Sequence, residues 1–391
     1  MSFGVNTRNG VSLGLGTTPS LVKSPPYATL RLNFAEIGAL DSILTFTRAS
    51  SQTYFDSTGT LQTATTNVAA FDYDPSTLVP LGLSMWEART NGMLYCRDFT
   101  NAAWTVKTTV TIAKDQTGID GAVNSASSIL ATGATSVVSQ AIVQAATSST
   151  LSFYVKRLIG TGTITIKQTA STLDITALIN SSTWTRVTLT ASVLNPVIGF
   201  IIATSGDKIA VDYGSFEVGA FATPAILTTA AAATRAAPVC STTNLGWYTQ
   251  NIGTYVVAAS SAIANSGANQ FMARTSDNTY NNQIGVSLSS TGFANISTAS
   301  GGVFNGLATA VSAITANTPF KAAGAFAAND LAFSYNAAAV VTDSALTAPA
   351  SQTVFNVGSD HAGANHFNGW IASLTYYPLR LPNATLQSLS T

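Results

Sequence analysis

The sequence predicts an all-β protein: an extended N-terminal arm followed by two β-sandwich or jelly-roll domains. Three observations predict it. Apolar and polar residues alternate in many short runs, which is the period of a half-buried strand. Clusters of Gly, Asn, Ser and Asp separate these runs at short intervals. Amphipathic helical stripes with caps are scarce.

Residues 1–40 are rich in Gly, Ser, Thr and Pro, with Pro25-Pro26 as a marker. They cannot bury a core alone and read as an extended docking arm. Residues 41–90 are more charged and read as a compact connecting segment. Residues 91–227 form the first β-domain. Within it, Leu151, Phe153 and Val155 share one face of LSFYVK, and Ser152, Tyr154 and Lys156 share the other. TITIK (163–167), TRVTLT (185–190) and IAVDY (209–213) alternate in the same way. Turns fall at Gly160–Gly162, Asn180–Ser182 and Ser205–Asp207. The Ala/Thr run at 228–238 reads as a linker. Its composition alone favours helix, but it lacks an amphipathic stripe and ends at Pro238. Residues 239–391 form the second β-domain. There, period two puts Trp370, Ala372, Leu374 and Tyr376 on one face, with Trp370 directed to the core.

Charge limits the function. Lys+Arg and Asp+Glu number 17 each, and charged residues make up 9% of the chain. An ordinary soluble domain carries about 25%. With no basic patches to displace counterions, nucleic acid is excluded as a partner. So weakly charged a surface is poorly protected against association. Cys96 and Cys240 lie far apart and read as two separate thiols rather than a disulfide framework. The N-terminus lacks the basic start and apolar core of a signal peptide. No apolar run reaches the roughly 18 residues of a membrane helix, so no membrane partner is expected.

From Leu44 the chain reads LTFTRAS, then TYFDSTGTLQTATTNVAAFDYDP, then EARTN. This series resembles a segment repeated across tailed-bacteriophage virion proteins. The matching positions are Phe46, Arg48, Ala49, Tyr54, Phe55, Asp56, Gly59, Phe71, Asp72, Asp74, Pro75, Gly82, Glu87, Arg89, Thr90 and Asn91. The chain departs from the pattern at Ala70, at Ser84-Met85-Trp86 and at Gly92-Met93. YCRDFTNAAWTV, LSFYVKR, WTRVTLT and VDYGSFEVGAFATPAI resemble a carbohydrate-binding jelly roll. The end of the chain, through NGWIASLTYYPLRLPNATLQSL, resembles a laminin-G or concanavalin-A-like domain closing on a short helix or turn.

The resemblance implies a non-enzymatic structural component of a tailed-phage virion, a head spike or decoration protein or a fibre. Its N-terminal region would dock on other capsid or tail proteins. It would self-associate, with a homotrimer implied by analogy, and sit on the virion exterior after synthesis in the host bacterial cytoplasm. The alternative it implies is a receptor-binding tail-fibre lectin for host-surface polysaccharide.

Sugar binding needs aromatic faces and hydrogen-bonding side chains. Candidates are Trp104, Trp184, Tyr154 and Tyr213 in the first domain, and Trp247, Tyr280, Asn281, Asn282, Asp360, His361 and His366 in the second. Each Trp reads first as a core residue. The loop Ser359–Asn368 is the strongest binding candidate because it is polar and carries both histidines. Asp360, His361 and His366 have metal-ligand chemistry, but a solvated loop is the preferred reading. FDYDP reads as a turn capped by its own Asp side chain rather than as a calcium site with Asp56. Asp207, Asp212 and Glu217 are too sparse for a calcium assignment. No metal or cofactor is expected. Catalysis has no constellation to carry it. No GxSxG elbow occurs, both histidines share one loop, and no carboxylate pair is recognisable.

Overall fold

The computed structural model describes residues 27–391. The described residues are all-β apart from short helices at Phe34–Ile37 and Asn383–Leu389. It builds two sandwiches, each with its own apolar core.

The jelly roll holds two five-stranded antiparallel sheets. One runs Thr185–Ser192, Ser148–Ile159, Lys208–Val218, Ala126–Ala131, Val110–Gln116. The other runs Ser171–Asp174, Ile164–Gln168, Val197–Ile202, Ser136–Ala141, Val106–Thr108. The alternation in LSFYVK settles which face is core: Leu151, Phe153 and Val155 are fully buried. Phe153 packs against Phe200 of the facing sheet at 4.5 Å between ring centroids. Of the four runs expected as strands in this domain, three lie wholly in strands, and TITIK does from Ile164 on.

The larger sandwich packs an eight-stranded sheet on a seven-stranded one. The first is ordered Val341–Asp343, Asp330–Tyr335, Phe320–Ala327, Gly253–Ser261, Gly369–Tyr377, Pro80–Met85, Phe71–Tyr73. Leu30–Asn33 pairs with the far half of Gly369–Tyr377. The second is ordered Thr45–Thr47, Val239–Thr242, Val354–Val357, Gln270–Ser276, Gln283–Leu288, Phe293–Ser300, Val303–Ala313.

This connectivity corrects the expected domain boundaries. The segment 41–90 is not a connector, because three of its strands are hydrogen-bonded into the larger sandwich. The expected arm at 1–40 also gives a strand and a helix to that sandwich, and its residues 1–26 lie outside the described residues. The expected linker at 228–238 contains the strand Ala233–Arg235, which pairs with Arg89–Asn91. The jelly roll is thus an insertion in a sandwich assembled from both ends of the chain. Local periodicity marks strands but does not say which distant strand completes a sheet.

Two details fix the join. Gly82, with φ +103°, lies so close to Gly369–Tyr377 that a Cβ there would stand 2.3 Å from the Ile371 carbonyl oxygen. Only glycine allows both that backbone and that approach. At the neck of the insertion, the buried Asn91 side chain is fully committed. Its Nδ2 donates to Gly214 O at 3.0 Å and Ile226 O at 2.8 Å. Its Oδ1 accepts from Met93 N at 3.0 Å and Phe216 N at 2.9 Å.

Replacing Asn91 by Ala strands these buried backbone groups without partners. Asn91→Ala should destabilise the protein by about 3 kcal/mol, measured by urea unfolding. A change below ~1 kcal/mol would show that the neck does not depend on this amide.

Candidate functional site

The segment between the two sandwiches shapes a cleft of about 550 Å³. Its walls come from three places. The hairpin of Gln52–Phe55 and Leu61–Ala64 supplies Tyr54. The jelly-roll edge supplies Trp184 and Arg186, with Phe221 just beyond its last strand. The larger sandwich supplies Asp72, Trp86 and Trp370.

Five aromatic residues, Tyr54, Tyr73, Trp184, Phe221 and Trp370, are half-buried in this cleft. Three of these rings, Trp184, Phe221 and Trp370, have neighbours packed against them. Trp86 is buried, donates from Nε1 to Ser84 Oγ at 2.6 Å, and meets Trp370 edge-on at 5.1 Å. Trp86 also packs on Phe221 at 6.4 Å, and the guanidinium of Arg89 lies 4.7 Å from the Phe221 ring. Lys156 Nζ sits 5.1 Å from the Trp184 ring.

The expectation that Trp370 faces the core is corrected. The pairing of Gly369–Tyr377 with Gly253–Ser261 shifts register between Ala258 and Ala259. That bulge breaks the period of two, so Ile371, Leu374 and Tyr376 enter the core while Trp370 turns to the cleft.

The polar groups are held in fixed positions. Asp72 Oδ2 accepts from Trp370 Nε1 at 2.9 Å, and Oδ1 accepts from Phe55 N at 2.7 Å. One carboxylate therefore links the hairpin to the larger sandwich. Arg186 Nη2 donates to Thr223 O at 2.6 Å and Ser152 Oγ at 3.1 Å, with its guanidinium 5.5 Å from the Tyr154 ring. Thr183, Thr188, Thr190, Ser76 and Asn317 place exposed hydroxyl and amide groups around the rim.

Of the sequence candidates, Trp184 lies in this cleft, and Tyr154 is buried in its floor. Trp104 is a core residue of the jelly roll, stacked on Phe99 at 4.0 Å between centroids. Tyr213 is buried beneath Arg97. Trp247 packs among Tyr248, Phe355 and Tyr376. Tyr280 stands edge-on to His361, and Asn281 and Asn282 close the neighbouring turns.

The loop Ser359–Asn368 is structured from within. Asp360 is fully buried. Its Oδ1 accepts from the backbone of Ala362 and Ala364, and its Oδ2 accepts from Tyr280 OH at 2.5 Å and Asn365 Nδ2 at 2.7 Å. His361 Nδ1 accepts from Arg274 Nη1 at 3.0 Å, while His366 is buried and donates from Nε2 to Gly363 O at 2.8 Å. Burial holds both imidazoles below their ordinary value, with Arg274 adding to the effect at His361. These three side chains build the loop rather than offer free ligands.

Among the described residues, no three His, Cys, Asp or Glu side chains gather as a metal site. Asp74 caps its own turn through Ser76 N and Thr77 N. Asp207 pairs with Arg157, Asp212 with Arg97, and Glu217 accepts from Ser215 and Thr223. Cys96 and Cys240 are buried free thiols in different cores.

No family model and no curated protein matches the sequence. Several solved structures are similar in part. The CBM40 of the Ruminococcus gnavus IT-sialidase, bound to α2,3-sialyllactose, is 15% identical with a TM-score of 0.33, covering 36% of this chain and 83% of its own. Domain 4 of the GH43 arabinanase AbnA from Geobacillus stearothermophilus, in complex with arabinotriose, is 11% identical with a TM-score of 0.32, covering 40% and 73%. Mouse laminin α1 LG4-5 is 8% identical with a TM-score of 0.27, covering 74% and 88%. At these scores the likeness says nothing about the cleft, which stands on its own geometry.

The Asp72 carboxyl is raised from 3.8 to about 6, because burial outweighs the bonds from Trp370 and Phe55. A carboxyl raised on folding stabilises the fold fully below its unfolded value, and that contribution is lost as pH rises through about 6. Between pH ~4 and ~6, the stability of the wild type relative to Asp72→Asn should fall by about 2 kcal/mol. Urea unfolding at several pH values checks this, and a difference that does not vary with pH would overturn it.

Proposed function

We propose that the protein is a non-enzymatic structural component of a tailed-phage particle, exposed on its exterior, whose two sandwiches jointly present a glycan-binding cleft. The lining of the cleft carries the glycan reading. Pyranose rings offer apolar C–H faces that rest on aromatic rings, and hydroxyls that need directional partners. Tyr54, Trp184, Phe221 and Trp370 supply the first, and the Thr, Ser and Asn rim supplies the second. Because Phe221 and Trp370 are braced by Trp86 and Arg89, little ordering of these two rings is left for the ligand to impose.

The cleft's acids favour binding without cleavage. A glycosidase needs two separated carboxyl groups free to exchange protons or attack carbon. Both Asp72 oxygens are occupied by donors from the protein, and Asp74 is committed to its turn.

The particle assignment rests on the resemblance of 44–91 to the repeated virion segment. In this chain those positions form the junction: Gly82 and Asp72 at the sheet edge, Glu87 bonded to Asn368, and Asn91 at the neck. A segment that sets one module rigidly against another suits a protein that projects modules from a particle.

Mass spectrometry of purified particles should detect the chain in stoichiometric amounts. On an array of host-surface polysaccharides the full chain should bind, and Trp184→Ala should weaken binding by about tenfold while His361→Ala leaves it unchanged. Absence from particles would overturn the virion assignment. No binding, or binding indifferent to Trp184, would overturn the glycan assignment.

A further inference from the structure

The charged residues that line the cleft are Asp72, Asp74 and Arg186. The two acids are committed within the protein. Asp72 accepts from Trp370 Nε1 and Phe55 N through separate oxygens, and Asp74 caps its own turn. Arg186 is different, because no acid answers its charge. Arg89, Arg97, Arg157 and Arg380 each pair with a carboxylate, and among the described residues Arg186 does not.

Its strand explains where it points. Thr185–Ser192 alternates, so Val187 is buried and Leu189 packs on the jelly-roll core, while Arg186, Thr188 and Thr190 line the cleft. The guanidinium is held on one side only. Nη2 donates to Thr223 O at 2.6 Å and to Ser152 Oγ at 3.1 Å, and the group lies 5.5 Å from the Tyr154 ring centroid. Nε is buried without a partner. Nη1 has no protein partner among the described residues either. The result is a half-buried cation of fixed orientation with donors to spare. A desolvated donor left unpaired is unfavourable, and a guanidinium is matched best by an oxyanion.

Resting on the glycan reading above, we propose that the cleft takes an acidic glycan, with a carboxylate or phosphate seated against Arg186 and the sugar that bears it lying on Trp184. The two side chains are placed for this division of labour. Trp184 precedes Arg186 by two residues and lines the same cleft, so one ligand unit reaches an aromatic face and a cation together. Thr188, two residues further on, adds an exposed hydroxyl for the remaining oxygens. A neutral sugar would desolvate Arg186 and return no charge to it, whereas an oxyanion answers the charge and accepts from the open donors.

Binding of the full chain to immobilised polygalacturonate, alginate and poly(glycerol phosphate), with dextran and galactan as neutral counterparts, tests this. At least one anionic polymer should bind more tightly than both neutral ones, and a preference for the uronates or for the phosphate polymer identifies the oxyanion. Arg186→Gln should weaken that binding about 30-fold. If this variant fails to fold, Thr188→Asp brings a carboxylate beside Arg186 from an exposed position, and should weaken anionic binding about tenfold. Neutral polymers bound as tightly as anionic ones would overturn the acidic class. So would anionic binding that Trp184→Ala weakens but neither Arg186→Gln nor Thr188→Asp changes. Both results would leave the glycan cleft standing. No binding to any of these polymers would overturn the acidic class and the glycan reading together.

Discussion

One uncharged amide governs how the two halves of this molecule meet. The chain leaves the larger sandwich at Asn91 and returns at Ala233–Arg235, and between these points lies the whole jelly roll. A crossing of this kind buries backbone groups that belong to no regular ladder, and each must find a partner. Asn91 satisfies four of them at once. Around it, the buried Arg235 donates to Thr223 Oγ1 and to the Glu87 carbonyl, and Thr223 donates in turn to Glu217. The cleft is formed by residues on both sides of this neck. The hydrogen bonds at the neck and the Asp72 link therefore help hold its walls in place.

Much of the fold was legible in the sequence, because a half-buried strand writes its period directly into residue order. Leu151, Phe153 and Val155 declared the jelly-roll core, and Gly160–Gly162 declared the turn after it. The discontinuous sandwich was not legible. Phe71–Tyr73 and Pro80–Met85 look like any short strands, and nothing in them names Gly369–Tyr377 as partner. The site was legible in fragments. Trp184, just before its strand, is visible as a candidate in the sequence, but the period of two points Trp370 to the wrong face because one bulged residue reverses the alternation. Tyr54, Phe221 and Asp72 gained their cleft positions only from long-range pairing. Asp360 and His366 carried the chemistry of ligands, yet burial gave that chemistry to the loop itself.

The low charge of the chain becomes sharper once the charges are located. Arg48, Arg235 and Arg274 are fully buried, as are Asp212, Glu217 and Asp360. Arg48 bonds to the carbonyls of Ser50, Ala64 and Thr65, and Arg97 clamps Asp212 and Asp120. Many of the few ionic groups thus serve as internal fasteners. The surface that remains is dominated by hydroxyl, amide and small aliphatic groups. Such a surface solvates adequately but has little with which to repel another protein.

The insertion also determines how the molecule carries mechanical load. Both ends of the jelly roll leave through one short ribbon, Arg89–Asn91 beside Ala233–Arg235. A pull applied between residue 27 and residue 391 runs through the strands of the larger sandwich, beginning with Leu30–Asn33 against Gly369–Tyr377. The jelly roll hangs beside this path and takes tension only after the ribbon has parted. Under traction the larger sandwich is the member that yields or holds, and the smaller one travels with it as an unloaded passenger.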